Sequence, residues 1–516
     1  MIESILDVTR CSTWLEIQTK AGQTALTEHL SSWTADPAEL SQRSASMTRW
    51  KAALATDPAF SDTLHHHFME LAEVEKQILP LMKKDSKLEE ESYNEILFYK
   101  PYLKPLNFIP FVLMLWSVVR VYILPGLSLL LPIFTLLAPY LIIRFIFHLP
   151  MNLSNYMHIM NMMISGNMQD AMNPASAAPS HPPGAILKQV GVAAMTFLQG
   201  ILQPYWTHQH LYSVDSIVQE NGRIVLRLRD LYQTMETVLQ THGFTLFRCP
   251  LPPMPSEREA TARLLFQPSY FQLALKYLGA LEVKFRLARQ SDVHPVRWIS
   301  SPSPVFRIRD TFDFEVPVQT RKTLSAQFDT QRHALLTGPN KGGKSTVLRA
   351  LSTSALFAHT YGCAMGHLTA TPFHDLFVCL KPDDLPGSKS RFEREIEFTA
   401  KTLKSTVPVL VFIDELYHST NPPDALRSCH IYCEPLWKKP NVVSVISTHL
   451  FDFVEKAEKN VQRLCCPAIR QNDSIVFMYS LEKGICTVSS VDSLLQKNGM
   501  EIPPTRVMRS ESVHKI

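Results

Sequence analysis

Apolar residues follow different rhythms along this chain. Over residues 1 to about 100 they recur at helical spacing, as at Leu71, Val74 and Ile78 within Leu71–Met82. Helical spacing returns between Gly222 and Gly243. There Ile224, Val225, Leu228, Leu231, Tyr232, Met235, Val238 and Leu239 form one stripe, closed by Gly243. After a break at Pro250–Pro255, helices resume from Glu257 to about Arg289. Beyond residue 330 the pattern changes to short, wholly apolar runs: Ala334–Leu336, Val409–Ile413 and Val442–Ile446. Such runs predict strands buried on both faces, as in a parallel sheet. The first is followed by a helical face of Val347, Leu348, Leu351 and Ala355. The expected architecture is an all-α N-terminal and core region followed by a C-terminal α/β domain.

One stretch has no polar rhythm. Apart from Arg120 and Arg144, Leu106–Phe147 is uncharged, and Val121–Ile143 holds no charge at all. That exceeds the roughly 18 apolar residues that suggest a membrane span. Pro125-Gly126 reads as a turn, giving two helices, Leu106–Leu124 and Leu127–Phe147, in a two-helix transmembrane hairpin. Lys100, Lys104 and Arg144 flank it, which fits a cytoplasmic face at both ends. The competing reading is a buried helical pair, favoured by Pro132 and Pro139. Asn173–Gly184, rich in Pro, Ala and Ser, reads as a linker. The expected blocks are a helical region 1–104, the hairpin 105–149, a helical core 150–289 and the α/β domain 290–516. The protein is expected to be integral to a membrane with two spans, its C-terminal domain on the cytosolic or nuclear side and lipid among its partners.

Composition adds less. With 46% hydrophobic and 19% charged residues, the 516-residue chain can build a large core. A net charge of +4 neither demands nor excludes nucleic acid. The nine cysteines form no C-x-x-C pair and read as free thiols in a reducing compartment. The N-terminus lacks the early apolar run of a secretory signal. His65-His66-His67 reads as a solvated patch, because three consecutive residues do not share a helix face. Phe68-Met69-Glu70 falls inside a helical pattern and carries no function in this reading.

The chemistry lies at the ends of the apolar strands. Gly338-Pro339-Asn340-Lys341-Gly342-Gly343-Lys344-Ser345-Thr346 has the spacing of a phosphate-binding loop between a strand and a helix. Its glycines let successive N–H groups converge on one anion, and the helix N-terminus adds partial positive charge. Lys344 is placed to reach the β- and γ-phosphates of ATP, and the Ser345 hydroxyl to hold Mg²⁺. Asp414 ends the strand Val409–Ile413, where ligands bind in open α/β sheets, and is the second Mg²⁺ ligand expected. Glu415 is the expected general base for water. His449, after the third strand, is the expected γ-phosphate sensor.

These segments resemble the MutS mismatch-repair ATPases. Thr337–Thr346 is one residue from that family's TGPNMGGKST loop. Asp414–Thr420 with Asp424 is similar to its DEIGRGTSTYDG. Thr448-His449-Leu450-Phe451 is similar to its THYF, and Lys381–Phe392 to its DDLASGRSTF. Ile475–Ser480 resembles IAFMHS, and His294-Pro295-Val296 the HPV that opens the ATPase domain. The resemblance covers about 290–500. It implies an ABC-superfamily P-loop ATPase acting as a homodimer or heterodimer through this domain, with Ser390 reaching the partner's γ-phosphate. Lys341, Tyr417 and Pro422-Pro423 depart from the pattern, and the family's Ser-Tyr-Gly is not clear around Val488–Val491.

The resulting expectation is a membrane-anchored, Mg²⁺-dependent MutS-like ATPase that binds DNA weakly and with little sequence preference. Nothing in the chain reads as a mismatch-reading domain. The alternative is an ABC-type ATPase driving a transporter or another non-DNA partner, opposed by the absence of Leu-Ser-Gly-Gly-Gln. A scaffold that binds ATP without hydrolysis is opposed by intact Lys344, Asp414 and Glu415.

Overall fold

A computed structural model describes residues 5–83, 93–157, 183–245, 247–380, 390–471 and 474–488. The linker reading at 173–182, segment 381–389 before Ser390, and the comparison at 489–491 lie outside the described residues.

The chain divides into two units, Met1–Ala72 with Leu275–Ile516, and Glu73–Ala274. This division cuts across the blocks expected at 1–104, 105–149, 150–289 and 290–516. The first helices are α1 (Val8–Trp14), α2 (Lys20–Leu30), α3 (Pro37–Thr56) and α4 (Pro58–Met82). Asp7, Thr19 and Asp36 cap the first three, each accepting from first-turn amides.

The Glu73–Ala274 unit is helical. Pro110–Val118 (α5), a π-helical turn Val119–Ile123, Leu124–Leu141 (α6) and a second π-helical turn Ile142–Ile146 follow without interruption. The turn expected at Pro125-Gly126 does not form, so Leu106–Phe147 is not folded back on itself. Pro125 has no N–H to offer the carbonyl four residues back, and the preceding π-helical turn absorbs the mismatch. That carbonyl, on Val121, instead accepts from His208 Nδ1 at 2.7 Å. His208 belongs to α7 (Pro183–Thr241, 59 residues). The stripe expected at Gly222–Gly243 is the C-terminal part of α7, with Val225, Leu228, Tyr232, Met235 and Leu239 buried. Helix α8 (Glu257–Phe266) packs on α7. Arg258 forks onto Asp215 at 2.7 and 2.6 Å, and Ser117 Oγ donates to the same carboxylate at 2.9 Å.

Helix α9 (Pro268–Arg289) leads into the sheets. Strands β1 (Val293–Pro295), β2 (Arg297–Trp298), β3 (Phe306–Thr311) and β4 (Leu324–Phe328) come first. Then follow β5 (His333–Thr337), helix α10 (Lys344–Tyr361), β6 (Cys363–Met365), β7 (His367–Ala370) and β8 (Asp375–Cys379). Helix α11 (Arg391–Lys404), β9 (Val409–Ile413), α12 (Pro422–Trp437), β10 (Val442–Ser447) and α13 (Phe451–Glu455) continue the alternation. The last described strands are β11 (Val461–Cys465), β12 (Ala468–Gln471), β13 (Ser474–Phe477) and β14 (Glu482–Lys483).

The central sheet runs β14-β11-β5-β10-β9-β8, parallel except for the edge strand β14. Every residue of β5, β9 and β10 is buried, as their unbroken apolar character requires. A second sheet, β2-β7-β3-β4, and the pairs β1-β6 and β12-β13 complete the domain.

The N-terminal helices belong to this unit because their polar anchors lie far along the chain. Arg43 Nη1 donates to the His359 and Thr360 carbonyls at 2.5 and 2.8 Å, satisfying the C-terminal end of α10 with a cation. Glu282 accepts from Gln18 N and Thr19 Oγ1 at 2.8 and 2.6 Å. Phe68 is fully buried and stacks on Phe285 at 5.5 Å, so Phe68-Met69-Glu70 has its aromatic ring in the core. His65 is not simply solvated, since Arg286 and Arg289 both donate to its Nδ1. All nine cysteines are free thiols.

Candidate functional site

The site sits at the carboxyl ends of β5, β9 and β10. Strand β5 stops at Thr337, and the chain enters a loop with Gly338, Lys341 and Gly343 all at positive φ (146°, 67° and 101°). Gly338 is required: a Cβ there would stand 2.9 Å from the Cys466 carbonyl. Lys341, at a position where the resemblance expects methionine, is exposed and held in the left-handed region. Gly343 caps α10, directing its first amides into the loop.

Lys344 folds back over this loop, its Nζ donating to the Gly338 and Pro339 carbonyls at 2.9 and 3.2 Å. Burial pulls its ammonium below the usual lysine range, while Glu415 and Asp414 oppose the shift. Ser345 Oγ donates to Asp414 Oδ2 at 2.5 Å. The two residues expected to share Mg²⁺, from α10 and from the end of β9, therefore meet directly. Asn340 and Ser345 are exposed, Gly342 is buried, and Thr346 is half-buried in the first turn of α10.

Glu415 and Tyr417 both take positive φ, 52° and 56°. Left-handed backbone at non-glycine residues is costly and persists only where surroundings enforce it. Here the enforcement is visible. The Glu415 amide donates to Ser447 Oγ at 2.8 Å, and that hydroxyl donates to Asp414 Oδ1 at 2.5 Å. The Tyr417 side chain is buried, its phenol paired with Thr399 Oγ1 of α11 at 2.7 Å and its ring edge-on to Phe392. The tyrosine that departs from the family's small residue thus anchors the turn inside the domain. Pro422 occupies the first turn of α12 behind the N-cap Asn421, where a missing N–H costs nothing.

His449 Nε2 lies 3.3 Å from Glu415 Oε1. Burial and the Lys344 charge lower its pKa, against the pull of Glu415, which favours the neutral ring. Ser390 is the N-cap of α11: its hydroxyl accepts from Glu393 N at 3.2 Å, and its amide donates to Glu393 Oε2 at 2.7 Å in a capping box. It is exposed and makes no described contact with Ser345, Asp414 or Glu415 of its own chain.

Residues 334–512 match the family model of MutS domain V. This is the ATPase-domain family of the mismatch-repair MutS proteins, and the match supports MutS family membership. MutS proteins use ATP and Mg²⁺, and commonly dimerise and bind DNA. In this chain MutS domain V is a C-terminal domain of mixed α/β sheets, preceded by a helical region.

Several site features were not read from the sequence. Ser447 follows the apolar run Val442–Ile446 and carries no sequence signal of its own. The register Ile446↔Ile413 sets it beside Asp414, so pairing the two apolar runs in parallel would have exposed its role. Tyr479, half exposed, puts its ring 3.6 Å from where a Gly343 side chain would begin. The N-terminal segment Ile5–Arg10 had no assigned place near the loop. With Glu315, Arg349, Leu380, Ser345, Asp414 and Glu415 it lines a cleft of about 900 Å³. Arg10 and Arg349 both pair with Glu315, and the Asp7 amide donates to the same carboxylate.

Proposed function

We propose that this chain binds ATP with Mg²⁺ and hydrolyses it, as a dimer closed by nucleotide, in a MutS-related role on DNA. The observation that carries the reading is the convergence of Ser345, Asp414, Glu415 and His449 beside the Gly338–Gly343 loop. Ser345 Oγ and Asp414 Oδ2 offer two hard oxygens at one point, a donor set that suits Mg²⁺ completed by water and phosphate. When bound with nucleotide, Mg²⁺ would neutralise phosphate charge.

The protein's own groups account for the remaining work. The loop amides and Lys344 bind and orient the phosphates. Glu415 accepts the proton of the attacking water, and neutral His449 holds Glu415 in place and faces the γ-phosphate. Positioning and electrostatics of this kind supply most of the rate in phosphoryl transfer. Ser390 completes the site of the partner subunit, in a homodimer or heterodimer. DNA is held through its phosphates, so binding is weak and largely independent of sequence.

The test is Glu415→Gln. Steady-state hydrolysis should drop by roughly 10²–10⁴-fold, the usual contribution of a positioned base, while nucleotide still binds. Lys344→Ala should weaken binding itself. Normal turnover by the Glu415→Gln protein would remove Glu415 from its role.

A further inference from the structure

The structure pairs two apolar helical segments that are distant in sequence. Near one end, His208 of α7 bonds the Val121 carbonyl and packs its ring 5.5 Å from Tyr122. Further along, Gly200 of α7 meets Pro132 of α6, where an added Cβ would stand 3.2 Å from the proline ring. Residue numbers rise along α6 as they fall along α7, so the two helices run antiparallel. A glycine at the crossing allows the close approach typical of helix pairs in lipid.

The outer faces of this pair are apolar and uncovered. Leu127, Leu131 and Phe134 on α6, and Met195, Leu198 and Leu202 on α7, are all exposed. Among the described residues the one helix long and apolar enough to cross a membrane, Pro110–Pro132, runs through α5 into the first half of α6, and only 22% of its most apolar window is buried. A core helix of a soluble protein would be mostly buried.

Length and end chemistry say what covers this face. The uncharged run Val121–Ile143 spans roughly 33 Å at about 1.5 Å per residue. On α7 the rise from Lys188 to His208 is roughly 30 Å, with no charged residue between. Both are long enough to cross the ~30 Å hydrocarbon layer of a bilayer. The His208 end carries the exposed aromatic residues Tyr122, Tyr205 and Trp206, which suit a membrane–water interface. At the opposite end Arg144 closes the uncharged run of α6, and its long cationic stem suits the headgroup level. The connection 147–182 contains no Lys or Arg, whereas Lys100, Lys104, Arg223 and Arg227 flank the aromatic end. That asymmetry assigns the aromatic end to the cytosolic side.

We propose that α6 and the N-terminal part of α7 form an antiparallel pair spanning a lipid bilayer, with 147–182 on the far side and both 1–105 and 210–516 on the ATP side. This replaces the hairpin read from sequence: Gly126 lies within the bilayer rather than at an exposed turn. The proposal is independent of hydrolysis.

The test uses full-length protein expressed in bacteria. Membranes are washed with carbonate, and spheroplasts are treated with a membrane-impermeant maleimide. The native cysteines all fall in the two ATP-side segments and give no background from outside. The protein should stay in the carbonate pellet. Ser154→Cys should label in intact spheroplasts and Gln240→Cys only after lysis. Gly126→Cys, whose added Cβ meets nothing within 4 Å, should label in neither state. Labelling of Gly126→Cys from outside, with Ser154→Cys protected, would restore the hairpin at Pro125-Gly126 and overturn the pairing. Release by carbonate as a soluble oligomer would show that a second copy or another protein covers the apolar face.

Discussion

Ser447 and Asp414 share a hydroxyl–carboxylate hydrogen bond of 2.5 Å across the adjacent ends of β10 and β9. The same hydroxyl accepts the Glu415 amide at 2.8 Å. One small side chain thus orients the expected metal ligand and fixes the backbone of the expected base. Partners of metal ligands are commonly worth about 10–100-fold in affinity or activity. Ser447→Ala should therefore raise the Mg²⁺ concentration needed for half-maximal ATP hydrolysis by roughly 10-fold or more. A Mg²⁺ titration unchanged from the parent would mean that Ser447 only fills space.

Ser390 has two roles that mutation can separate. Its hydroxyl caps α11, so Ser390→Ala should cost about 0.5–2 kcal/mol of stability, read from thermal unfolding. If it also reaches the partner's γ-phosphate, Ser390→Ala should lower hydrolysis without lowering nucleotide binding. Ser390→Asp should restore the cap but not hydrolysis, because a carboxylate facing phosphate repels it. Full activity in the aspartate variant would leave Ser390 with the cap alone. ATP-dependent dimerisation of the Glu415→Gln protein, followed by ultracentrifugation in detergent, provides the companion measurement.

Binding to duplex DNA should be weak and fall steeply with salt, as phosphate contacts dictate. Matched and mismatched duplexes should bind alike. A mismatch preference beyond the roughly 1–3 kcal/mol of one specific base contact, measured by competition at fixed salt, would reveal a recognition element absent from this reading.

Acid should destabilise the Met1–Ala72 with Leu275–Ile516 unit through His333. This histidine is buried in β5, its Nδ1 paired with Ser444 Oγ at 2.9 Å, and burial lowers its pKa to about 4. The unfolded chain takes up this proton near the ordinary value of 6.5, before the folded chain does. Stability is therefore fully present above about pH 6.5 and is lost as pH falls toward 4. At pH 5 the loss from this group is about 2 kcal/mol. The thermal midpoint should fall between pH 7 and pH 5, and fall less in His333→Asn. Equal slopes in the two proteins would show that His333 does not govern the acid limb.

The sequence alone determined whatever depends on neighbouring residues. Unbroken apolar runs at 334–336, 409–413 and 442–446 specify strands that can only be buried on both faces, and the structure extends them by at most two residues. Glycine spacing at 338–343 specifies a loop whose backbone few other residues could follow. Ser345, Asp414, Glu415 and His449 were legible because each ends or begins such an element. Only the tertiary structure decided what brings distant segments together. Ser447 gains its role from strand register, Tyr417 from a hydroxyl on α11, and Ile5–Arg10 from helices docked by Arg43 and Glu282. The uncharged run at 121–143 announced an apolar helix but not its partner. Pro125 reads as a turn because its local preference favours one. In the fold its unpaired carbonyl on Val121 is satisfied by His208, from a helix far along the chain. Local rules place the break in hydrogen bonding, and only packing supplies the group that repairs it.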